Sequence, residues 1–191
     1  MAVRAQLTAL LAPLLLLAAA PAPAAVYRID PAHSFVVFGV SHFDFGVVRG
    51  RFNQVTGWFQ YDPENPAAAR VMVTIETASV DTNFPRRDRF LRSDKFLDVD
   101  EYPQARFGST RVRQSGGRLQ VEGHLTLHGR TRMVTIDAEV VGAGADPWGG
   151  YRRGFEGATA FPLRRFGLRL PLVPATTPVE MELFIEGVRR Q

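Results

Sequence analysis

The stretch from Leu119 to Val140 restricts the possible folds more than any other part of the chain. It reads L-Q-V-E-G-H-L-T-L-H, then Gly129-Arg130, then T-R-M-V-T-I-D-A-E-V. Leu119, Val121, Leu125 and Leu127 share one parity, while Gln120, Glu122, His124, Thr126 and His128 take the other. Beyond the break, Val134, Ile136, Ala138 and Val140 alternate with Thr135, Asp137 and Glu139. Side chains on a strand point to opposite faces in turn, so each half is a strand with one apolar and one polar face. Gly129 stands where the chain must reverse, which makes the pair a hairpin. A helix would need a period near 3.6 residues, and that period is absent. The polar face excludes a parallel sheet buried on both sides. The sequence is that of an antiparallel, all-β protein.

The chain has 191 residues, 46% hydrophobic and 22% charged, which suits one domain and a processed end. Arg4 lies in a short basic head, and an apolar run follows from Leu7 to Ala20, broken by Thr8 and Pro13. Ala22-Pro23-Ala24 then places small residues where a signal peptidase reads them. Residues 1–24 are therefore expected to be a signal peptide, with the mature domain spanning 25–191. The run is shorter than the roughly 20 residues a membrane span needs, which argues against an anchor. Cysteine is absent, so disulfides, thiol nucleophiles, cysteine-ligated zinc and a lipoprotein anchor are excluded. The formal net charge is +4, and nearly all the positive charge is arginine. Arg86, Arg87, Arg89 and Arg92 cluster, as do Arg152–Arg153 and Arg164–Arg165–Arg169. Such clusters can hold phosphate or acidic lipid, but most read as solvated surface. An exported protein is not expected to meet nucleic acid.

Further strands are expected at Val26–Asp30, Phe35–Val40, in two pieces between Val47 and Tyr61, around Val71–Glu76, and at Arg106–Arg113. Two more follow at Tyr151–Phe161 and Val179–Val188. Phe35–Val40 is apolar at both parities, which predicts cover on both faces. Gly142 to Gly150 reads as a loop. Between Phe84 and Tyr102 the alternation stops, and Phe90, Leu91, Phe96 and Leu97 recur at spacings nearer a helix. Pro85 suits a first turn and Pro103 ends the segment. The expectation is a short helical segment near 85–102, packed over an opening in the sheet. About eight strands make an antiparallel barrel, which either fills its interior or holds one small ligand.

No catalytic constellation emerges. His124 and His128 would chelate a metal on a helix, but on a strand they stand roughly 13 Å apart. Asp30, His33 and Ser34 are sequence neighbours without a G-x-S-x-G elbow, and are better read as a turn in which Asp30 accepts backbone bonds. Asp94, Asp98, Asp100 and Glu101 lack a glycine-centred calcium loop, and phosphate-binding and dinucleotide motifs are missing. Binding is the better class, with no catalytic or metal-ligating residue expected and no enzymatic activity.

Several motifs together resemble the YceI-like family of periplasmic, polyisoprenoid-binding proteins. They are Y-R-I-D-P-A-H-S (27–34), His42 with V-R-G-R-F (48–52), and R-D-x-F-L-R-S-x-x-F-L-D-V-x-x-Y-P (87–103). G-H-L-T-L-H-G-R-T-R-x-V-T (123–135) and D-P-W-G-G-x-R-x-G-F-E (146–156) complete the set, in the family's order. The resemblance implies a lipocalin-like barrel whose long apolar cavity takes an isoprenoid chain or isoprenoid quinone, for transport or storage. It also implies a periplasmic location, with transient membrane contact and homodimerisation open to such a protein. The chain departs from the family at Phe90 and His124. Pro162-Leu163-Arg164-Arg165 also replaces an element that normally carries a carboxylate, which bears on the cavity rim and on head-group preference.

On this reading the lipid-binding residues are Phe38, Val73, Ile75, Leu125, Leu127, Val134, Ile136 and Leu183 on the wall, with Phe90, Leu91 and Phe96 as a partial cover. The alternative is a small eight-stranded outer-membrane barrel, which shares the leader and the alternation but needs an apolar outside and a polar inside. The charged segment 85–102 and the Arg189-Arg190-Gln191 terminus, without a closing aromatic, argue against it.

Overall fold

The computed structural model describes residues 24–43, 45–170, 173–174 and 176–190; all of the expected leader except its last residue lies outside them. In chain order the strands are β1 (Ala25–Ile29), β2 (Phe35–His42), β3 (Gly46–Phe52), β4 (Val55–Tyr61), β5 (Arg70–Glu76) and β6 (Val80–Asp81). After the helix α1 (Pro85–Arg92) come β7 (Gln104–Ser115), β8 (Arg118–Leu127), β9 (Arg130–Ala145), β10 (Tyr151–Pro162) and β11 (Pro178–Arg189). Every pairing is antiparallel, in the order β1-β4-β5-β7-β8-β9-β10-β11-β2-β3-β6, and a further β1–β11 pairing closes the ring.

Eleven segments make eight staves because three pairs run end to end. β11 takes β1 on one edge through Tyr27↔Arg189 and Ile29↔Gly187, then β2 on the same edge through Phe35↔Phe184 and Gly39↔Glu180. β3 and β4 follow as one interrupted stave beside them, and β5 and β6 as the next. The result is the closed eight-stranded antiparallel barrel expected from the alternation, and closure leaves no long edge exposed. The hairpin β8–β9 has the anticipated faces: Leu119, Val121, Leu127, Val134 and Ala138 are buried, while Gln120, His124, Asp137 and Glu139 are exposed.

Three expectations need correction. Of the stretch read as a loop from Gly142 to Gly150, the first part continues β9, paired through Gly142↔Gly154, Ala143↔Arg153 and Ala145↔Tyr151, and only 146–150 is a loop. A ladder needs only backbone groups, so missing side chains do not end it; a register shift at Gly154/Phe155 absorbs the mismatch. Phe35 is 41% exposed, so β2 is not covered on both faces. The helical segment is one eight-residue helix, followed by turns through Glu101. Pro85 does sit in its first turn, and Leu91, Phe96 and Leu97 are buried beneath the segment. Its arginines partly serve structure. Arg87 donates to the Thr82 hydroxyl (2.7 Å) and carbonyl (2.9 Å), and Arg92 to the carbonyls of Ala78 (2.8 Å) and Val80.

The handover from β1 to β2 is the turn Asp30-Pro-Ala-His-Ser34. Asp30 N–H donates to the Glu186 carbonyl at 2.8 Å. The Ser34 hydroxyl donates to that carbonyl at 3.1 Å and accepts from Glu186 N–H at 3.0 Å, so a side chain substitutes for a ladder rung. Asp30 Oδ1 accepts from Ala32 N–H at 3.0 Å, as the turn reading requires. Arg152 ties the region together. Its Nη1 donates to Asp30 (2.6 Å) and Glu186 (2.5 Å), and its Nε donates to Asp146 (2.8 Å) in the β9–β10 loop.

The Arg152 guanidinium holds the Asp30 carboxyl down at about 2, against an ordinary 3.8, with smaller help from His33 and Ala32 and opposition from burial. A depressed carboxyl contributes stability above its unfolded value and loses it as pH falls through the folded one. The contribution is on the order of 2 kcal/mol at neutral pH. Stability should therefore decline between about pH 4 and pH 2, and Asp30→Asn should remove part of that decline while lowering stability at pH 7. Urea midpoints measured across this range for both proteins check the expectation.

Candidate functional site

The inward rows of the staves do not fill the barrel. A cavity of about 150 Å³ runs between Val36, Phe59, Tyr61, Val71, Phe107, Phe155, Ile185 and their neighbours. A second, of about 110 Å³, lies toward α1 among Phe38, Val40, Phe52, Leu91, Phe96, Leu168 and Leu170. Ile75, Leu125, Phe161 and Met181 line both, so the two compartments meet at that waist. The lining is apolar apart from Gln60, Glu156 and Thr159 in the first compartment.

The hollow has a local cause in the aromatic rings. A Cβ added at Gly123 would lie 2.5 Å from the Phe107 ring, one at Gly50 2.4 Å from Phe38, and one at Gly187 2.5 Å from Phe59. Each ring thus lies flat over a wall glycine instead of projecting to the axis. The glycines keep large rings on the wall, and the centre stays empty.

The structure places Val73, Val134, Ile136 and Leu183 on the first compartment, Phe38, Leu91, Phe96 and Leu127 on the second, and Ile75 and Leu125 at the waist. Phe90 lines neither compartment. Its ring stacks on Phe96 at 5.9 Å, behind the wall, because the next helical position, Leu91, takes the inward direction. Sequence reasoning missed much of the first compartment: Phe59, Tyr61, Phe107 and Phe155. Their alternation with Trp58, Gln60, Arg106 and Glu156 was a usable signal.

The histidines do not converge. His124 is exposed on the outer face of β8, and His128 turns out of the strand with a left-handed φ of 49°, its ring 4.6 Å from Tyr102. A carboxylate–imidazole group does form from Asp30, His33 and Glu186, whose donor atoms lie within 4.8 Å of one another. Arg152 already supplies the cation there, bonded to both carboxylates. The group is a structural clamp.

Comparison with known proteins follows from this geometry. The YceI-like domain profile matches residues 27–186. A UPF0312 protein of Pseudomonas aeruginosa is 46% identical over 177 residues, covering 92% of this chain and 93% of that protein. One from Shewanella baltica is 48% identical over 178 residues, with the same coverage. Among solved structures, Burkholderia cenocepacia BcnA aligns with a TM-score of 0.74 at 23% identity, covering 83% of this chain and 98% of its own. A polyisoprenoid-binding domain from Saccharophagus degradans aligns at 0.61 and 18% identity, covering 84% and 98%. These two structures share the fold.

A hollow wall and a packed one respond differently to truncation. Phe166, wholly buried against Phe161 and away from both compartments, should cost about 3–5 kcal/mol on replacement by Ala. Ile136→Ala, on the cavity wall, should cost less than the roughly 2 kcal/mol that begins the range for well-packed isoleucines. Denaturant melts of the two variants test the contrast.

Proposed function

The chain belongs to the YceI-like domain family, and from that premise we propose that it is a periplasmic carrier holding the tail of a polyisoprenoid or isoprenoid quinone in its barrel. The observation that carries the reading is the two-compartment, largely apolar cavity along the barrel interior. An apolar tail entering it gains about 0.8 kcal/mol for each CH₂ removed from water. The polyisoprenoid-binding domain of Saccharophagus degradans has this fold, which supports the same ligand class here. The polar residues on the cavity, Gln60, Glu156 and Thr159, do not make up a recognisable catalytic set, which supports binding over turnover. The basic head, apolar run and Ala22-Pro-Ala24 of residues 1–24 support export.

The outer-membrane alternative is not favoured. Such a barrel needs an apolar outer band and a polar lumen. Here Arg111, Arg113, His124, Asp137, Glu139 and Glu180 are exposed, while the interior is apolar.

Loading requires contact with a bilayer, and the tip between β2 and β3 suits it. Phe45 is 87% exposed, and Phe43 is about half exposed in the left-handed region, with φ 53°, which is unfavourable for a bulky residue. The tip extends from Phe38, Val40 and Phe52, which line the compartment nearest α1. Apolar exposure at this turn suits a tip that dips into lipid.

Protein purified from an exporting host without detergent should carry isoprenoid lipid detectable by mass spectrometry of its extract. Leu125→Trp, which blocks the waist, should fold and lose that lipid; retention of lipid by this variant would place the ligand elsewhere. Phe45→Asp should keep its melting midpoint and take up a fluorescent prenyl probe from vesicles more slowly, as stopped-flow uptake would register.

A further inference from the structure

Arg152 and Arg153 are sequence neighbours placed in opposite environments. Arg152 faces outward into three carboxylates. Arg153 pairs with Gly187, two positions from the Phe155↔Ile185 pair, both members of which line the first compartment. Strand parity therefore turns Arg153 to the interior face, one step beyond the cavity wall. Among the described residues it forms no ion pair within 4.0 Å. Its Nε is buried without a hydrogen-bond partner. Its guanidinium lies over the Tyr61 ring at 4.9 Å and the Tyr27 ring at 5.9 Å. Both tyrosines are buried, and Tyr61 lines the cavity. Arg189, paired with Tyr27 and two positions beyond Gly187 on β11, adds a second cation on the same face at the exposed rim.

An arginine with a buried, unbonded donor at the end of an apolar cavity is costly unless something completes it. A buried donor left unmade carries its full desolvation penalty, and cation–π contact with two rings offsets part of it. An anionic oxygen satisfies a guanidinium best, through short charge-assisted bonds in a weakly screening site. Tyr61, whose hydroxyl is pushed up by burial, stays protonated and can donate alongside it.

We infer that Arg153, with Tyr61, forms a head-group site that selects amphiphiles ending in an anionic oxygen group, a phosphate or a carboxylate, over neutral ones with the same tail. This rests on the lipid-carrier reading and assigns the polarity of the bound lipid: tail toward the waist at Leu125, head at Arg153. It gives a chemical role to an arginine that the sequence reading left on the surface.

The test uses two tail-matched pairs, geranylgeranyl phosphate with geranylgeraniol and palmitate with hexadecanol, titrated into delipidated wild type and Arg153→Met. Wild type should bind the acidic member of at least one pair about tenfold tighter or more, the scale of a charge-assisted hydrogen bond. The pair that shows the preference identifies phosphate or carboxylate as the head. Arg153→Met should bring that ratio close to one, and raised salt should weaken the acid in wild type alone. Arg153→Gln gives the same readout if the Met variant does not fold. Equal affinity for acid and alcohol in wild type, or a preference that survives loss of Arg153, overturns the assignment while leaving the carrier intact. Failure of all four amphiphiles to bind wild type overturns the carrier reading itself.

Discussion

The molecule depends on one edge of β11 accepting two strands in succession. β10 occupies its other edge, so the ring closes only if β1 and β2 both find register along the remaining one. Two strands cannot follow one another on a ladder without an interruption, and unpaired backbone groups at such a break are expensive. The Asp30–Ser34 turn meets both demands: the Ser34 hydroxyl takes over a rung at Glu186, and Asp30 N–H donates to the same Glu186 carbonyl. Arg152 then fastens the turn to β11 and to the β9–β10 loop with a single guanidinium. A planar group with several donors can bridge three acceptors in one place, which a lysine could not do with the same geometry.

Closure decides the width of the barrel, and width decides what the interior side chains can do. Eight staves leave a bore that side chains of the right size can fill. Here the largest inward residues are spent on the wall. Phe38, Phe59 and Phe107 each cover a glycine, which satisfies packing next to the sheet and withdraws the rings from the axis. Tyr27 stacks on Phe59 at 4.9 Å, and Phe155 meets Phe59 and Tyr61 edge-on, so the aromatic layer is self-supporting. The core is a lining that packs against itself, and the cavity is what remains inside it.

That lining was largely legible in the sequence where alternation is strict. The β8–β9 hairpin shows its buried face in plain parity, and closure of eight antiparallel staves follows from strand number and polarity. Legibility failed where a residue's local character contradicts its place. Gly142 and Gly144 look like a loop because a strand without side chains has no pattern, although its ladder continues to Ala145. Phe90 and Leu91 are equally apolar, and only the phase of α1 decides that Leu91 faces inward. Arg153 has the parity of Phe155, Gly157 and Phe161, yet its charge suggested the surface. Binary patterning assigns charge to solvent, and an interior arginine is the exception it cannot encode.

The same exception bears on selectivity. In the proposed carrier a tail is recognised by removal of apolar surface from water, a force that is non-directional and scales with area. Such a wall distinguishes one tail from another by length and bulk, and hardly at all by identity. Hydrogen-bonding sites behave differently, because a mismatched ligand leaves a buried polar group unpaired, at a cost several times that of a misplaced methylene. In the wall described here the aliphatic positions are interchangeable in kind, so no single one of them can set specificity. Arg153 is not interchangeable: it combines a fixed charge, an unbonded buried donor and a place at the cavity's end. In the proposed carrier, discrimination between ligands with similar tails is assigned to that end of the barrel, and the apolar bore sets how much binding energy is available to be divided.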